Sequence, residues 1–388
     1  MKTLLSLVVV LGMVACGGAV DAPESKLAAM AAQGSRLSPL LTAPGNAIPG
    51  SYIVRIKDGH RAEAVAAQHG AKPHHVYSVL NGFAAHLTAA QLDAVRRHPG
   101  VAYVEEDQVF TADAVQYGPD WGLDRIDQHN LPLNNAFSYN YDGTGVRAYV
   151  IDTGIATGDS DFGGRASAVY DAMGGNGQDC NGHGTHVAGT IGGATYGVAK
   201  NSKPRAVRVL DCNGSGSTSN IIAGINWVQT NAIHPAVANM SLGGGFSQSL
   251  NDAATALANS GVSLAVAAGN SNADACNTSP ASAPGTITVA ASDINDNRAS
   301  FSNYGGCVDV YGPGVNITSD WLNGGTNTIS GTSMASPHVA GVAALYKQAY
   351  GDQPSSTVYN FIVNNATANV IRGNPSGTVN RLLYTGGL

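Results

Sequence analysis

The chain has 388 residues, 49 of them glycine, with 12% charged residues and a formal net charge of −6. That length suits one large domain plus a smaller one, and the composition excludes a disordered or coiled-coil chain. From Ala114 onward 11 Lys and Arg face 17 Asp with no Glu, while the residues before it balance at nine each, so the acidic part argues against nucleic-acid binding and is compatible with calcium.

Residues 1–16 read as an export signal. Lys2 precedes an apolar run from Leu4 to Ala15 that is too short to span a membrane. The run ends Met13-Val14-Ala15-Cys16-Gly17, which resembles a bacterial lipobox and makes Cys16 a candidate for lipidation. The alternative is an ordinary signal-peptide cut nearby. The expectation is a secreted protein, anchored to a membrane before processing if Cys16 carries lipid. Residues 17–50, rich in Ala, Ser, Pro and Gly, predict a linker. From Ser51 the pattern changes. Tyr52 to Lys57 alternates like a strand and Arg61 to His69 has helical spacing. His75 to Leu87 predicts a hairpin broken at Asn81-Gly82, and Thr88 with Gln91 forms a capping box for a helix to Arg97. Val101 to Phe110 alternates as a last strand. Residues 51–111 therefore predict a small βαββαβ domain, α+β and ferredoxin-like.

Residues 114–388 alternate apolar strands with helical runs. The strands are Val146–Ile151, Arg205–Leu210, Val237–Met240, Val262–Ala268 and Ile287–Ala290; the helices include Ile221–Thr230 and Ser249–Ser260. This predicts an α/β domain with a doubly wound, mostly parallel sheet and a site at the strand C-terminal ends. No internal repeat is visible, and no accessory domain is expected after Tyr384.

Four motifs carry chemistry. Ser333, in Gly331-Thr332-Ser333-Met334-Ala335, precedes an apolar helical run, so it should sit at a helix N-terminus with free N–H groups around its hydroxyl. Pro337 then falls in what reads as a first helical turn, where a missing N–H costs little. Asp152 ends the Val146–Ile151 strand, and His183 opens the small-residue helix His183-Gly184-Thr185-His186. A buried carboxylate fixes the imidazole tautomer, and the other ring nitrogen takes the serine proton. Asn270, after Ala267-Ala268-Gly269, supplies an amide that, with the Ser333 N–H, makes an oxyanion hole. Each signal alone has an ordinary reading: Asp152 and Asn270 as turn residues, Ser333 as a cap. The lipase elbow fails on its last glycine and on the order of the partners. His183 and His186 with Cys180 lack the glutamate and the spacing of a zinc helix, so His186 is expected to be structural and no catalytic metal is expected.

Together these residues resemble a subtilisin-type serine peptidase, more narrowly the proteinase K and aqualysin-like branch, over roughly Trp121 to Tyr384. The resemblance implies Asp152 as orienter, His183 as general base and acid, Ser333 as nucleophile and Asn270 as oxyanion donor. It implies that residues 51–111 are an inhibitor-type prodomain, acting as intramolecular chaperone and inhibitor, with a cut near Asp113 or Ala114. Polypeptide substrates would be held between two edges, Asn213 with Gly214, Ser215 and Gly216, and the segment from Asn239 to Gly245. Ser241, Leu242, Gly243 and Gly244, with Ala267, Ala268 and Gly269, would wall a first specificity pocket; neither wall carries charge, so apolar or aromatic residues are expected there. If Cys16 is lipidated, four cysteines remain, which permit three pairings; the resemblance selects Cys180–Cys212 and Cys276–Cys307. It also implies one or two structural calcium ions, one on Asp309 with the carbonyls of Pro284 and Thr286, the other on Asp124, Asp127 and Gln128, although Asn134 stands where that second site often has an acid. The mature form is expected to be a monomer. The competing reading is a non-catalytic secreted binding protein on the same fold, against which the intact quartet Asp152, His183, Asn270 and Ser333 argues.

Overall fold

The computed structural model describes residues 37–43, 47–108 and 114–388. The export signal, Cys16, most of the predicted linker, residues 109–111 of the predicted prodomain and Asp113 at the expected cut lie outside the described residues. The chain divides into two compact units, up to Phe110 and from Thr111.

In the first unit the elements are β1 (Leu40–Leu41), β2 (Ala47–Ile56), α1 (Ala62–Gln68), β3 (Pro73–Tyr77), β4 (Gly82–His86), α2 (Ala89–Arg97) and β5 (Val101–Gln108). The sheet order is β1-β5-β2-β4-β3, antiparallel except for β1 on β5. The βαββαβ expectation holds, and the Thr88–Gln91 capping box is present in both directions. Both helices cover one face of the sheet through Val65 and Val95, over Val54, Ile56, Phe83 and Val104. The linker expectation is corrected at its end. Leu40 and Leu41 pair with Val104 and Glu105, and β2 starts at Ala47, four residues before the predicted boundary. Two apolar residues show no periodicity; their strand exists because the β5 edge offers free backbone groups.

The second unit begins with β6 (Ala114–Tyr117), which pairs antiparallel with β7 (Ala136–Tyr139), and the short helix α3 (Trp121–Ile126) lies between them. Then come β8 (Arg147–Asp152), β9 (Ser167–Asp171), α4 (His183–Gly192), β10 (Lys203–Arg208), α5 (Thr218–Asn231), β11 (Ala236–Met240), β12 (Gly244–Gly245) and α6 (Gln248–Asn259). They are followed by β13 (Ser263–Ala267), β14 (Thr278–Ser279), β15 (Ile287–Ser292), β16 (Val310–Pro313), β17 (Ile317–Asp320), β18 (Thr326–Ile329), α7 (Thr332–Tyr350), α8 (Ser355–Asn365), β19 (Thr367–Ala368) and β20 (Arg381–Leu382).

The large sheet runs β19-β20-β16-β15-β13-β11-β8-β10-β9, parallel throughout except for the terminal β19–β20 pair. Its strands are apolar on both sides because helices cover both faces. α4 and α7 pack on one face with Val150, Val237 and Val289; α5 and α6 pack on the other with Ile151, Ala238 and Val266. The chain starts the sheet at β8, builds outward to β9 and β10, then crosses to β11. That reversal opens a crevice at the C-terminal end of β8, where such sheets bind their ligands. Both expected disulfides are present, Cys180–Cys212 and Cys276–Cys307.

Candidate active site

Asp152 is the last residue of β8 and is fully buried. Its Oδ1 accepts from the Thr153 N–H at 2.7 Å and lies 2.8 Å from His183 Nδ1. His183 is the first residue of α4, so the helix start presents its ring to the strand end. Burial pushes the imidazole pKa down, but the Asp152 charge and hydrogen bond, and then the Asp179 charge, outweigh it and raise the pKa above the ordinary value. A carboxylate on Nδ1 leaves Nε2 as the acceptor for a nucleophile's proton. His186, one turn on, is buried, contacts the Ile317 carbonyl oxygen through Nε2 and is pushed by burial down to about 4. It is a neutral packing residue, as expected, and Cys180 is in its disulfide.

Ser333 is the second residue of α7 and lines the same cleft as His183. Its hydroxyl donates to the Ser241 carbonyl oxygen at 3.2 Å, and among the described residues no hydrogen bond joins it to His183. Catalytic hydrogen bonds are often loose without substrate and tighten once it binds. Pro337 corrects an expectation: it is the sixth residue of α7, in the second turn, and not in the first. There the missing N–H deprives the Ser333 carbonyl of its helical partner. Ser241 Oγ fills the gap, donating to that carbonyl at 2.7 Å, with Asn239 Nδ2 donating to Ser241 Oγ in turn at 2.9 Å.

Asn270 follows β13, and Thr332 fixes its amide. The Thr332 N–H and Oγ1–H both donate to Asn270 Oδ1, at 2.8 and 2.9 Å, and the Gly269 N–H donates to Thr332 Oγ1 at 3.0 Å. With Oδ1 engaged, Nδ2 is the free end, beside the start of α7. Asn303 braces the same loop, donating to the Ala268 carbonyl and accepting from the Ser271 and Ala273 N–H groups. The roles of Thr332 and Asn303 were not read from the sequence; only their distance in space to Asn270 reveals them.

The cleft encloses about 940 Å³. Gly214, Ser215 and Gly216, Ser241 to Gly244 and Ala267 to Gly269 all line it, together with His183, Asn270 and Ser333. Every predicted pocket residue therefore lines one cavity. Leu210, Ile221 and Leu250, which the motifs did not flag, line it as well and add apolar surface to a lining otherwise rich in Ser, Thr, Asn and Gly.

The two implied calcium sites can be tested on their oxygens. Asp127 Oδ1 is buried with no partner, while Oδ2 accepts from the Ser138 N–H at 2.7 Å. Burial pushes the Asp127 carboxyl up to about 6, with Asp124 adding to the rise. An orphaned carboxylate oxygen beside a second carboxylate suits a hard cation. Gln128 donates its amide to the Asn130 and Pro132 carbonyls, which leaves its Oε1 available. At the other site, Asp309 accepts from the Thr288 N–H at 2.8 Å and from the Tyr359 hydroxyl at 2.7 Å, and Pro284 O accepts from Thr255 Oγ1. Pro284, Thr286 and Asp309 line a separate cavity of about 540 Å³. The oxygens are of the right kind at both places, and Asp127 carries the stronger fit.

Residues 143–383 match the subtilase family, and residues 51–113 match the peptidase inhibitor I9 family. The chain is 54% identical over 314 residues to alkaline serine exoprotease A of Vibrio alginolyticus, covering 79% of this chain and 59% of that protein's length. It is 49% identical over 375 residues to the extracellular serine proteinase of Thermus sp. (strain Rt41A), covering 89% of this chain and 91% of the relative. A crystal structure of a cold adapted subtilisin-like serine proteinase superposes with a TM-score of 0.68 at 54% identity, covering 69% of this chain and 98% of that one.

Proposed function

The chain belongs to the subtilase family of serine peptidases and carries an I9-type prodomain, and from that premise we propose that it is a secreted endopeptidase working through Asp152, His183 and Ser333. The observation that carries this reading is the 2.8 Å contact between Asp152 Oδ1 and His183 Nδ1, in a cleft shared with Ser333 and Asn270. Ser333 Oγ leaves the Ser241 carbonyl and attacks the peptide carbonyl carbon while His183 Nε2 takes its proton. Asp152 stabilises the imidazolium that forms. The developing oxyanion is held by Asn270 Nδ2 and the Ser333 N–H, one of the free donors at the start of α7. His183 then returns the proton to the leaving amine, and water repeats the sequence in reverse to free the acid.

The two glycine-rich edges bind the substrate backbone as an added strand, so recognition is broad in sequence. The uncharged walls favour apolar or aromatic side chains in the first pocket. Residues 51–111 act as intramolecular chaperone and inhibitor, released by a cut near Ala114. Calcium, held by Asp124, Asp127 and Gln128 and by Asp309 with the carbonyls of Pro284 and Thr286, serves stability and takes no part in the chemistry.

The test is to express the full chain and its Ser333→Ala variant in a protease-free host. Casein hydrolysis and the N-terminal residue of the secreted form are then measured. The parent should mature near Ala114 and digest casein. The variant should lose about 10⁶ in kcat and accumulate as precursor. A Ser333→Ala protein that still digests casein overturns the assignment.

A further inference from the structure

Asp179 lies four residues before His183 and touches no part of the reaction. Its carboxylate nevertheless accepts five hydrogen bonds. Oδ1 takes the Thr153 hydroxyl at 2.9 Å and the N–H groups of Asn181 and Gly182 at 2.9 and 3.0 Å. Oδ2 takes the N–H and the hydroxyl of Thr185 at 2.9 and 2.6 Å. Thr153 completes a bridge, because its Oγ1 also accepts the Gly184 N–H at 2.9 Å. Thr153 is the neighbour of Asp152 and gives it the N–H that fixes Oδ1.

The residues on both sides of His183 are thus tied to one carboxylate or to the threonine it holds. The packing leaves no slack. Gly184 approaches so closely that a Cβ there would meet the Gly154 carbonyl oxygen at 2.2 Å. Gly182, at φ +107°, lies against the Trp321 ring.

We propose that Asp179 is a positioning residue for His183, tying the first turn of α4 to the end of β8 so that the imidazole meets Asp152 in register. This rests on the assignment of His183 as general base. A carboxylate is what the place requires. An amide there would turn an N–H₂ toward the Thr185 N–H, two donors face to face. A negative charge is also favoured at a helix N-terminus. Among the charged and titratable groups around His183, Asp152 on β8 and Asp179 on the loop both favour the imidazolium. His186, on the same helix, is neutral and adds no charge.

Two variants separate position from charge. Asp179→Asn removes the charge and part of the bridge, whereas Thr153→Val removes the bridge and keeps the charge. Each is made in the full chain. Active sites are titrated with a serine-directed fluorophosphonate, so kcat refers to folded sites only. Asp179→Asn should lose about 10²-fold in kcat per titrated site with KM nearly unchanged. The acid limb of its kcat/KM profile should move to lower pH, since the imidazolium has lost a counter-charge. Thr153→Val should lose kcat with the acid limb in place. A purely structural role would lower the melting temperature and the number of titratable sites but leave the limb where it was; an unmoved limb in Asp179→Asn, or parental kcat per site in either variant, overturns the proposal. If Asp179→Asn yields no mature protein, Thr153→Val alone decides by its kcat. Ser333→Ala runs beside them: activity there sinks the peptidase assignment itself, whereas an inactive Ser333→Ala with a fully active Asp179→Asn sinks only the role of Asp179.

Discussion

Replacing Arg125 by Ala should cost the catalytic unit a large part of its stability and little of its chemistry. Arg125 is fully buried on α3. Its guanidinium meets Asp296 twice, Nε to Oδ1 at 2.7 Å and Nη2 to Oδ2 at 3.1 Å, and it donates to the carbonyls of Gln128 and His129. Asp296 is itself only 5% exposed. The truncation strands that carboxylate without a cation and removes donors from two carbonyls. Breaking a buried pair from one side costs about 3–5 kcal/mol, most of it the penalty of the charge left behind. For a domain of this size each kcal/mol is worth about 2–4 °C, so melting should fall by roughly 6–20 °C. The assay is calorimetry on mature enzyme blocked with a serine-directed inhibitor in excess calcium, at several scan rates, because autolysis makes unfolding irreversible. Arg125 does not line the cleft, so kcat at low temperature should stay near the parental value. The double variant Arg125→Met with Asp296→Asn removes both charges and should melt higher than Arg125→Ala. A melting point for Arg125→Ala within about 2 °C of the parent would refute the argument, since less than 1 kcal/mol would then ride on the pair.

If Asn270 serves the oxyanion as proposed and not the ground-state carbonyl, Asn270→Ala should lower kcat about 10²–10³-fold with little change in KM; steady-state kinetics on a peptide anilide decides, and a change confined to KM would make Asn270 a substrate-binding residue. Calcium in hundredfold excess over its Kd should raise stability by about 2.7 kcal/mol, and Asp127→Ala should remove much of that shift with low-temperature activity intact; equal melting in EGTA and in calcium counts against both sites. Asp320 is buried at the end of β17, and burial, with Asp161 and Asp159 nearby, pushes its carboxyl up to about 8. Between the unfolded carboxylate value and about 8 the native state holds the extra proton, so stability declines as pH rises through that window. Asp320→Asn should therefore gain over the parent progressively from pH 5 to pH 9 in thermal melts, and a constant difference across that range contradicts the shared-burial cause.

Much of the site was legible because its residues sit in short, local contexts. A strand ending in Asp152, a small-residue helix opening at His183 and another opening near Ser333 are each readable within ten residues. The Thr88–Gln91 capping box is equally local and appears as expected. What stayed hidden depends on pairing across the chain. β1 is two leucines whose only reason to extend is the β5 edge. β17 and β18 are an exception: their hairpin turns at Asn323-Gly324, both at positive φ, a local signal of the same kind as Asn81-Gly82 that went unused. Pro337 reads as tolerable by position alone, yet its real accommodation comes from Ser241, 96 residues upstream. Thr332 and Asn303 shape Asn270 from different segments, and no single segment carries that information.

Ser241 belongs to two systems at once. Its side chain completes α7 where Pro337 cannot, its main chain receives the Ser333 hydroxyl, and the same residue borders the cleft proposed to take substrate. Selectivity and turnover are therefore not separable traits on this wall. A bulkier residue introduced at 241 to narrow the pocket would also unseat the helix that carries Ser333, the proposed nucleophile. Evolution toward new substrates has freer ground at Leu210, Ile221 and Leu250, which line the cavity and take no part in the hydrogen bonds that hold Ser333.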